Sequence, residues 1–228
     1  MTFDLSKYRI IFKAKKFKLN YSVGIINLGL GNISSVVNIL KKLGIKSFII
    51  NEANQLRSFN FLIIPGVGSF DYAMKEIDNK DWREGILSHV ERGRYLLGIC
   101  LGMQILCNKS EEGDLGGLGL IPGEFKKFVF ENKKIKVPHM GWNTVDFTPQ
   151  VSKFFKNDFA LDSNRYYFVH SFRYFHNNID NVYGFTNYGI KFASIIGKDN
   201  VMGCQFHPEK SHMNGLHFLR KYFEFINK

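Results

Sequence analysis

The stretch RYLLGICLGMQIL, residues 94–106, joins a strand pattern to a helix pattern through a single cysteine. The apolar run RYLLGI predicts a buried strand, and the apolar run after Gly102 predicts a helix. Cys100 lies between them, with a glycine two residues away on either side. Glycines are needed at such a corner because the strand and the helix approach too closely for Cβ atoms. We therefore predict a strained turn that holds the sulfur above the edge of a sheet.

A cysteine on this corner is expected to act as a nucleophile. The first turn of a helix carries partial positive charge, which favours the thiolate over the thiol. The backbone N–H of Leu101 is expected to point to the place where an oxyanion would form. The alternative is a core cysteine in a turn that tolerates glycine, since buried cysteines usually behave as small hydrophobes. Cys107, two turns along the same predicted helix, and Cys204, in an apolar strand, are expected to be core residues.

Before this corner, the chain alternates apolar strand patterns with amphipathic helix patterns. The predicted strands are SVGIIN, KSFII, FNFLIIPG and RYLLGI, and the predicted helices are ISSVVNILKKLG, SFDYAMKEI and DWREGILSHVERG. Ser69 and Asp81 are the predicted N-caps of the last two helices. Residues 116–205 have short strand patterns rich in Phe, Tyr, Val and Ile, and a helix closes the chain. We predict an α/β fold: an open, mostly parallel sheet flanked by helices, with antiparallel strands in the C-terminal half.

Charge distribution separates a basic N-terminal extension from the rest of the chain. Residues 1–20 contain six Lys or Arg residues against one Asp, and the whole chain of 228 residues has a net charge of +11. We expect the extension either to dock as an extra strand or to form a flexible arm, and we expect residues 21–228 to form one domain. The charge permits a nucleic-acid partner, but no recognition motif accompanies it, so none is expected.

Several classes of protein are disfavoured by patterns that the sequence lacks. No run of about 18 apolar residues is present, so no membrane span is expected. Three cysteines without a Cys-x-x-Cys pair indicate a reducing compartment, expected to be the cytoplasm, and no metal site. The stretch GLGN, residues 29–32, lacks the third glycine and the following acid of a dinucleotide-binding fingerprint, so no cofactor is expected.

The stretch QFHPE, residues 205–209, supplies a candidate base and a group that orients it. His207 and Glu209 are two positions apart, and in an extended segment such residues face the same side. The carboxylate can then hold one imidazole tautomer and stabilise the charged ring. Pro208 favours an extended His207, and the preceding strand pattern puts the segment at a carboxyl end of the sheet. The alternative is an ordinary His-x-Glu pair on a surface loop.

The stretch IPGVGS, residues 64–69, also ends a strand pattern and opens a helix pattern. Gly66 and Gly68 let the backbone around Val67 turn its amides toward an anion. This segment is a second candidate for the oxyanion hole besides Leu101. A plain strand-to-helix turn explains the segment equally well when it is considered alone.

Six stretches together resemble the class I glutamine amidotransferases, and the resemblance covers about residues 21–228. They are IIPGVGSFDYAM, GICLGMQIL, SEEGDLGGLGLIPG, KVPHMGWN, YYFVHSF and GCQFHPEKS. The cysteine corner and the His-Pro-Glu segment are shared by many of these enzymes. PHMGWN and YFVHSF are much more specific, and they are similar to the branch of the family that serves imidazole glycerol phosphate synthases.

The resemblance implies a glutaminase that hydrolyses glutamine to glutamate and ammonia. The implied catalytic triad is Cys100, His207 and Glu209. The implied oxyanion hole is formed by the backbone near Gly66, Val67, Gly68 and Leu101. The residues implied to bind glutamine are Gln104, Glu112, His170, Ser171 and Phe172.

The resemblance also implies a partner that receives the ammonia. This partner is a (β/α)₈-barrel cyclase, in a heterodimer that makes imidazole glycerol phosphate and aminoimidazole carboxamide ribonucleotide for histidine biosynthesis. The residues implied to face it are Asn32, Met140, Trp142, Asn143 and Lys210. By composition, Met140 and Trp142 suit a contact patch, although composition fits two core residues as well.

Two departures from the family pattern keep other functions open. Asn27-Leu28-Gly29 stands where the family often has Asp-Tyr-Gly, and the basic extension has no counterpart. Both allow a paralogous glutaminase that feeds another synthase, such as one for surface-sugar amination. A cysteine peptidase is disfavoured by Gln104 and Glu112, which have glutaminase spacing. A catalytically silent binding subunit is disfavoured by the complete triad.

Overall fold

The computed structural model of the chain describes residues 22–151, 164–177 and 179–226, and the basic extension, residues 1–20, lies outside them. The first half of the described chain alternates strands and helices, as predicted. Its elements are β1 (Val23–Ile26), α1 (Ile33–Lys42), β2 (Ser47–Ile50), a 3₁₀ helix (Ala53–Ser58), β3 (Phe61–Gly66), α2 (Phe70–Asn79), α3 (Trp82–Glu91), β4 (Tyr95–Cys100) and α4 (Leu101–Ile105).

The second half consists mainly of short strands and ends in the longest described helix. Its elements are β5 (Lys109–Ser110), β6 (Glu124–Lys127), β7 (His139–Thr144), β8 (Asp146–Phe147), β9 (Arg165–His170), β10 (Phe172–Phe175), β11 (Val182–Tyr188), β12 (Ile190–Lys198), β13 (Val201–Cys204), a 3₁₀ helix (Pro208–Lys210) and α5 (His212–Ile226). Among the described helices, none is long and apolar enough to cross a membrane.

One large sheet joins the two halves, with the strand order β2-β1-β3-β4-β13-β12-β10-β6-β5. Its first five strands are parallel to one another, whereas β12 is antiparallel to β13, β10 and β11. β7 and β9 form a separate antiparallel pair. These pairings confirm the predicted fold. Because β13 lies beside β4, the ends of two strands that are distant in sequence meet at one edge of the sheet.

Apolar side chains of the sheet pack against helices on both faces. On one face, the ring of Phe61 in β3 lies 5.7 Å from that of Tyr222 and 4.8 Å from that of Phe223, both in α5. On the other face, α2 and α3 bury Phe70 and Trp82. All six residues of β3 are buried, as expected for a parallel strand that is covered on both sides. This packing fixes the strand ends from which the site loops begin.

The two predicted N-caps differ in the structure. Ser69 accepts a hydrogen bond from the backbone N–H of Tyr72, as predicted. Asp81 also occupies the N-cap position of its helix, as predicted, but its side chain makes no capping hydrogen bond. The reason is its backbone: Asp81 has a left-handed φ of 57°, whereas a capping side chain normally extends from a β-region residue.

The helix after the cysteine corner is shorter than predicted. α4 ends at Ile105, so the placement of Cys107 on this helix is wrong. The backbone N–H of Cys107 donates to the carbonyl of Gln104, three residues back, and this tighter bond closes the last turn. Cys107 is nevertheless fully buried, as is Cys204 in β13, which confirms both as core residues.

Candidate active site

The cysteine corner has the strained geometry that the sequence predicts. Cys100 has a φ of 56° and a ψ of −107°, which residues other than glycine rarely adopt. A Cβ atom at Gly98 would lie 2.5 Å from the carbonyl oxygen of Gly102. A Cβ atom at Gly102 would overlap the carbonyl oxygen of Ile64. Both flanking glycines are therefore required by the close approach of β3, β4 and α4.

The Cys100 sulfur meets polar groups from two other segments, although Cys100 is only 5% exposed. The side-chain amide of Gln205 donates to Sγ, with Nε2 at 3.7 Å, and the carbonyl oxygen of Val169 lies 3.9 Å away. Gln205 is fully buried, and the sequence does not predict its contact with the sulfur. A hydrogen-bond donor at this place stabilises the thiolate.

The His-Pro-Glu segment follows β13 and lies beside the cysteine corner. His207 is extended, with a φ of −99° and a ψ of 97°, and its Nδ1 lies 2.7 Å from Oε1 of Glu209. The backbone N–H of His207 donates to the carbonyl of Tyr167, and its own carbonyl accepts from the Ser211 hydroxyl. The predicted pairing of imidazole and carboxylate is present, but Glu209 lies in the 3₁₀ helix Pro208–Lys210 and not in an extended segment as predicted. These backbone hydrogen bonds anchor the residue that carries the ring.

His207 is held in its charged form by its neighbours. Burial alone would favour the neutral ring, but interactions with Cys100 and with the Glu209 carboxylate outweigh it and raise the pKa of His207 to about 10. Nε2, the ring nitrogen that does not face Glu209, is buried and makes no full hydrogen bond within the described residues. It is available to exchange a proton with a group bound next to the sulfur.

The predicted oxyanion segment lies across from the sulfur. Gly66 is the register partner of Cys100 in the parallel pair of β3 and β4. A Cβ atom at Gly66 would come within 3.0 Å of the Cβ of Leu101. Gly68 has a φ of 130°, in the region that favours glycine. The structure therefore brings the segment containing Val67 and the first residue of α4 to the same side of the nucleophile.

A cleft of about 270 Å³ opens in front of the sulfur. The predicted site residues that line it are Val67, Gly68, Cys100, Leu101, Gln104, Glu112, His170, Ser171 and Phe172. Pro138 and Val169 also line it and are not predicted from the sequence as site residues. The available signal was their position inside PHMGWN and YFVHSF, the two stretches most specific to one branch of the family.

A serine connects Gln104 and Glu112, two of the residues predicted to bind glutamine. The hydroxyl of Ser110 donates to Oε1 of Gln104 at 3.3 Å and accepts from the backbone N–H of Glu112 at 3.2 Å. Glu112 is half-buried, and this burial raises the pKa of its carboxyl. Gln104 and Glu112 are therefore held in one arrangement by a residue that the sequence does not single out.

A carboxylate outside the cleft fixes the loop that carries Glu112. Asp71, in the first turn of α2, accepts backbone N–H bonds from Leu115 at 3.0 Å and from Asp114 at 3.1 Å. These two bonds lower the pKa of Asp71 below its usual 3.8. Any Cβ atom at Gly113 would overlap the carboxylate, so the loop fits closely around it. The sequence does not predict this role, because it depends on a contact between distant segments.

The residues expected to face a partner do not all lie on one face of β7. Met140 is 62% exposed and Trp142 is 39% exposed, so neither is a core residue. These two residues are two positions apart and therefore lie on the same, outer face of the strand. Asn143 lies on the opposite face, where its amide bonds to Nε2 of His139 and to the carbonyl of Asn187.

Lys210 lies near the outer face of β7. Asn32 lies near the oxyanion segment. Nζ of Lys210 is 5.8 Å from the ring centre of Tyr167, and the ring of Trp142 is 6.2 Å from the same ring. Asn32 caps α1 by accepting from the backbone N–H of Ser35, and it follows Gly31, where a Cβ atom would come within 3.3 Å of the Val67 nitrogen. The structure therefore brings Lys210 and Trp142 together.

Comparison with known proteins agrees with this geometry. The family model "Glutamine amidotransferase class-I" matches residues 25–224. The chain is 40% identical over 205 residues to "Imidazole glycerol phosphate synthase subunit HisH" of Bdellovibrio bacteriovorus, which covers 89% of this chain and 99% of that protein. It is 39% identical over 203 residues to "Imidazole glycerol phosphate synthase subunit HisH 2" of Methanococcus maripaludis, which covers 89% and 98%.

Solved structures share the fold at low sequence identity. One described as "Crystal structure of glutamine amidotransferase" has a TM-score of 0.68 at 19% identity and covers 88% of this chain and 97% of that chain. "Structure of PurLQS from Thermotoga maritima" has a TM-score of 0.68 at 18% identity and covers 91% and 100%. The match to the family model and the two relatives show that the chain belongs to the class I glutamine amidotransferase family.

Proposed function

We propose that this chain is the glutaminase subunit of an imidazole glycerol phosphate synthase. It hydrolyses glutamine to glutamate and ammonia and channels the ammonia to a cyclase subunit in histidine biosynthesis. The observation that carries the proposal is the position of Cys100 in the cleft lining, with His207 next to it and paired with Glu209. Membership in the amidotransferase family and relatives named as synthase subunits at about 40% identity support the choice of reaction and pathway.

In the first half of the proposed reaction, Sγ of Cys100 attacks the side-chain carbonyl carbon of glutamine. The carbonyl oxygen becomes an oxyanion, which the backbone N–H of Leu101 and the backbone of residues 66–68 stabilise. His207 then donates its Nε2 proton to the departing nitrogen. The C–N bond breaks, ammonia leaves, and a glutamyl thioester remains on Cys100.

In the second half, water attacks the thioester carbonyl while the neutral His207 accepts its proton. The C–S bond breaks, glutamate leaves, and the thiolate and the charged imidazole are restored. The raised pKa of His207 supports this cycle, because the resting ring already holds the proton that ammonia needs. Glu209 keeps Nδ1 occupied, so proton exchange is confined to Nε2.

Glutamine binding is assigned to two sides of the cleft. Gln104 and Glu112 approach from the side tied together by Ser110. The Glu112 carboxylate is the acidic group of the cleft lining, which suits the ammonium group of an amino acid. The remaining contacts are assigned to His170, Ser171 and Phe172, which line the other side.

The proposed partner, a (β/α)₈-barrel cyclase, docks on the outer face of β7. Met140 and Trp142 are large apolar groups that are exposed there, and Lys210 supplies a nearby cation. Exposed methionine and aromatic side chains are typical of protein interfaces. We place the complex in the cytoplasm, since the three cysteines are free thiols and one of them is the proposed nucleophile.

The test is glutamate release from glutamine by the purified chain, measured alone and with the barrel cyclase of the same organism plus the nucleotide substrate of that cyclase. Cys100→Ala serves as the blank. We expect strong stimulation by the loaded cyclase. Release that ignores the cyclase would indicate a glutaminase for another synthase, and no release in either condition would indicate a silent binding subunit.

A further inference from the structure

Two buried imidazoles are hydrogen-bonded to each other behind the cleft. His139 in β7 and His170 in β9 are register partners, and Nδ1 of His139 lies 3.0 Å from Nε2 of His170. They are 2% and 5% exposed. The proposed reaction gives neither ring a proton to transfer, since His207 performs both proton steps. A buried pair of titratable groups therefore needs another explanation.

The neighbours of the pair fix the direction of every hydrogen bond in it. Nδ1 of His170 lies 2.7 Å from the carbonyl oxygen of Phe172, which can only accept, so Nδ1 carries the proton. In a neutral ring Nε2 of His170 is then an acceptor, and Nδ1 of His139 must donate to it. Nε2 of His139 is consequently an acceptor as well, and the amide of Asn143 supplies the donor at 3.2 Å.

The orientation of the Asn143 amide is fixed independently of the histidines. Its Nδ2 donates to the carbonyl of Asn187 at 2.9 Å, and its Oδ1 accepts from the backbone N–H of Thr144 at 2.8 Å. A reversed amide would put oxygen against oxygen and nitrogen against N–H. The chain from Asn143 through His139 and His170 therefore has one polarity, set at both ends by backbone groups.

Aromatic packing keeps this chain neutral. The rings of Tyr188 and Phe168 both stack on the imidazole of His139. Their centres lie 4.0 Å and 4.8 Å from its centre, respectively. Phe192 packs against both imidazoles. Burial lowers the pKa of His139 to about 4 and that of His170 to about 3. Neither ring is charged at neutral pH, so neither gains a second donor that would break the order of the chain.

The hydrogen-bond chain from Asn143 through His139 ends at His170, in the wall of the glutamine cleft. His170, Phe172 and Pro138, the residue before His139, all line the cleft. The same strand, β7, exposes Met140 and Trp142 on its other face. His139 therefore connects the strand that exposes Met140 and Trp142 to the cleft wall.

We propose that His139 is a positioning residue that holds, through its hydrogen bond to His170, the cleft wall formed by Pro138, His170, Ser171 and Phe172, and that β7 couples this wall to its exposed outer face. The coupling to a docked subunit rests on the proposed function. The positioning of the wall concerns glutamine binding alone and is tested without turnover.

His139→Gln and His139→Leu are the matched variants. A glutamine amide can donate to Nε2 of His170 and accept from Asn143, so it keeps the polarity of the chain. Leucine leaves the buried Nε2 of His170 without a donor. We expect His139→Leu to weaken glutamine binding about tenfold and His139→Gln to stay within about threefold of the unsubstituted protein.

Glutamine binding is measured by calorimetry in the Cys100→Ala background, so that the site cannot react. Weaker binding in the leucine variant than in the glutamine variant supports the proposal. Equal binding in the two variants overturns it, whatever their melting temperatures, because a purely structural role would change stability and not affinity. If the wild-type chain with cyclase releases no glutamate but the Cys100→Ala chain binds glutamine, the proposed function fails and this comparison still decides the positioning role. A Cys100→Ala chain that binds no glutamine overturns both.

The hydrogen-bond chain itself is tested by ¹⁵N NMR of the full chain labelled at histidine. We expect both rings to be neutral at pH 7 with the proton on Nδ1. An Nε2-protonated or charged form of either ring would overturn the assigned polarity, and with it the proposal.

Discussion

Three buried histidines lie around one cleft, yet they differ in charge. His207, His139 and His170 are each at most 5% exposed. His207 faces the Cys100 sulfur and the Glu209 carboxylate, which raise its pKa to about 10. His139 and His170 face each other, aromatic rings and backbone carbonyls, and burial lowers their pKa values to about 4 and 3. Neighbouring charge, and not depth of burial, therefore distinguishes His207, which is suited to proton transfer, from the neutral pair, which is suited to a positioning role.

The largest effect that we expect comes from removing the charge that distinguishes His207. Cys100→Ala should abolish glutamate release and also lower the pKa of His207, because burial is then opposed by Glu209 alone. Glutamate assay and histidine NMR measure the two results. Cys107→Ala, which removes another buried thiol, is the control and should keep its activity. Substantial turnover by Cys100→Ala would exclude this residue as the nucleophile.

Removing the second charge tests the comparison from the other side of the ring. Glu209→Gln keeps an oxygen near Nδ1 but loses the carboxylate that stabilises the charged imidazole. We expect kcat to fall roughly 10²–10⁴-fold while KM for glutamine stays near normal. Steady-state kinetics with the cyclase measure both constants. A kcat equal to that of the wild type would show that Glu209 does not orient the base.

The outer face of β7 tests whether the neutral pair is connected to a partner. Trp142→Ala should reduce stimulation by the cyclase about tenfold, because the ring is exposed and, among the described residues, its ring contacts are with His212 and the edge of Tyr167. We expect the melting temperature to change by no more than about 4 °C. Phe175→Ala, at a comparably exposed aromatic on β10, is the control. A large loss of stability with full stimulation would make Trp142 a structural residue.

Substitution of Asp71, a carboxylate outside the cleft, should have a smaller effect on catalysis. Asp71→Asn replaces one of two backbone-accepting oxygens by a donor, which loosens the loop that carries Glu112. We expect KM for glutamine to rise about threefold to tenfold and kcat to change little. Glu76→Gln, on the same helix and paired with Lys80, is the control. An unchanged KM would show that the loop keeps its position without Asp71.

The smallest effect concerns stability, where the two kinds of histidine act on opposite sides of neutrality. The raised pKa of His207 stabilises the native state fully below pH 6.5, and this contribution is lost as pH rises toward about 10. The lowered pKa of His139 stabilises the native state above pH 6.5, and this contribution is lost as pH falls toward about 4.

Urea unfolding across this pH range tests both signs. Cys100→Ala should flatten the alkaline decline in the free energy of unfolding, and His139→Gln should flatten the acid decline, each by on the order of 1 kcal/mol. If both variants changed the same part of the curve, either the acid or the alkaline decline, the assigned charges of the two kinds of histidine would be wrong.

The features that sequence predicts well are local ones. The glycines of the corner at Cys100 and the pairing of His207 with Glu209 both concern residues at most two positions apart, although the pairing is made through a 3₁₀ turn and not through the predicted extended segment. The contacts of Gln205 and Val169 with the sulfur depend on which strands are neighbours, and no short-range rule gives that order. The early end of α4 is missed because the carbonyls of Ile105 and Leu106 accept backbone N–H bonds from Leu118 and Ile121, in the loop that follows, and a helix pattern does not show these bonds.

The insertion of β13 beside β4 also has a consequence for synthesis on the ribosome. Gln205 lies 105 residues after Cys100, and His207 and Glu209 follow it. A nascent chain can fold the corner that holds the cysteine long before the segment that activates it has been translated. An incomplete polypeptide therefore carries an inert thiol, and ammonia release has to wait until the late strand has joined the sheet.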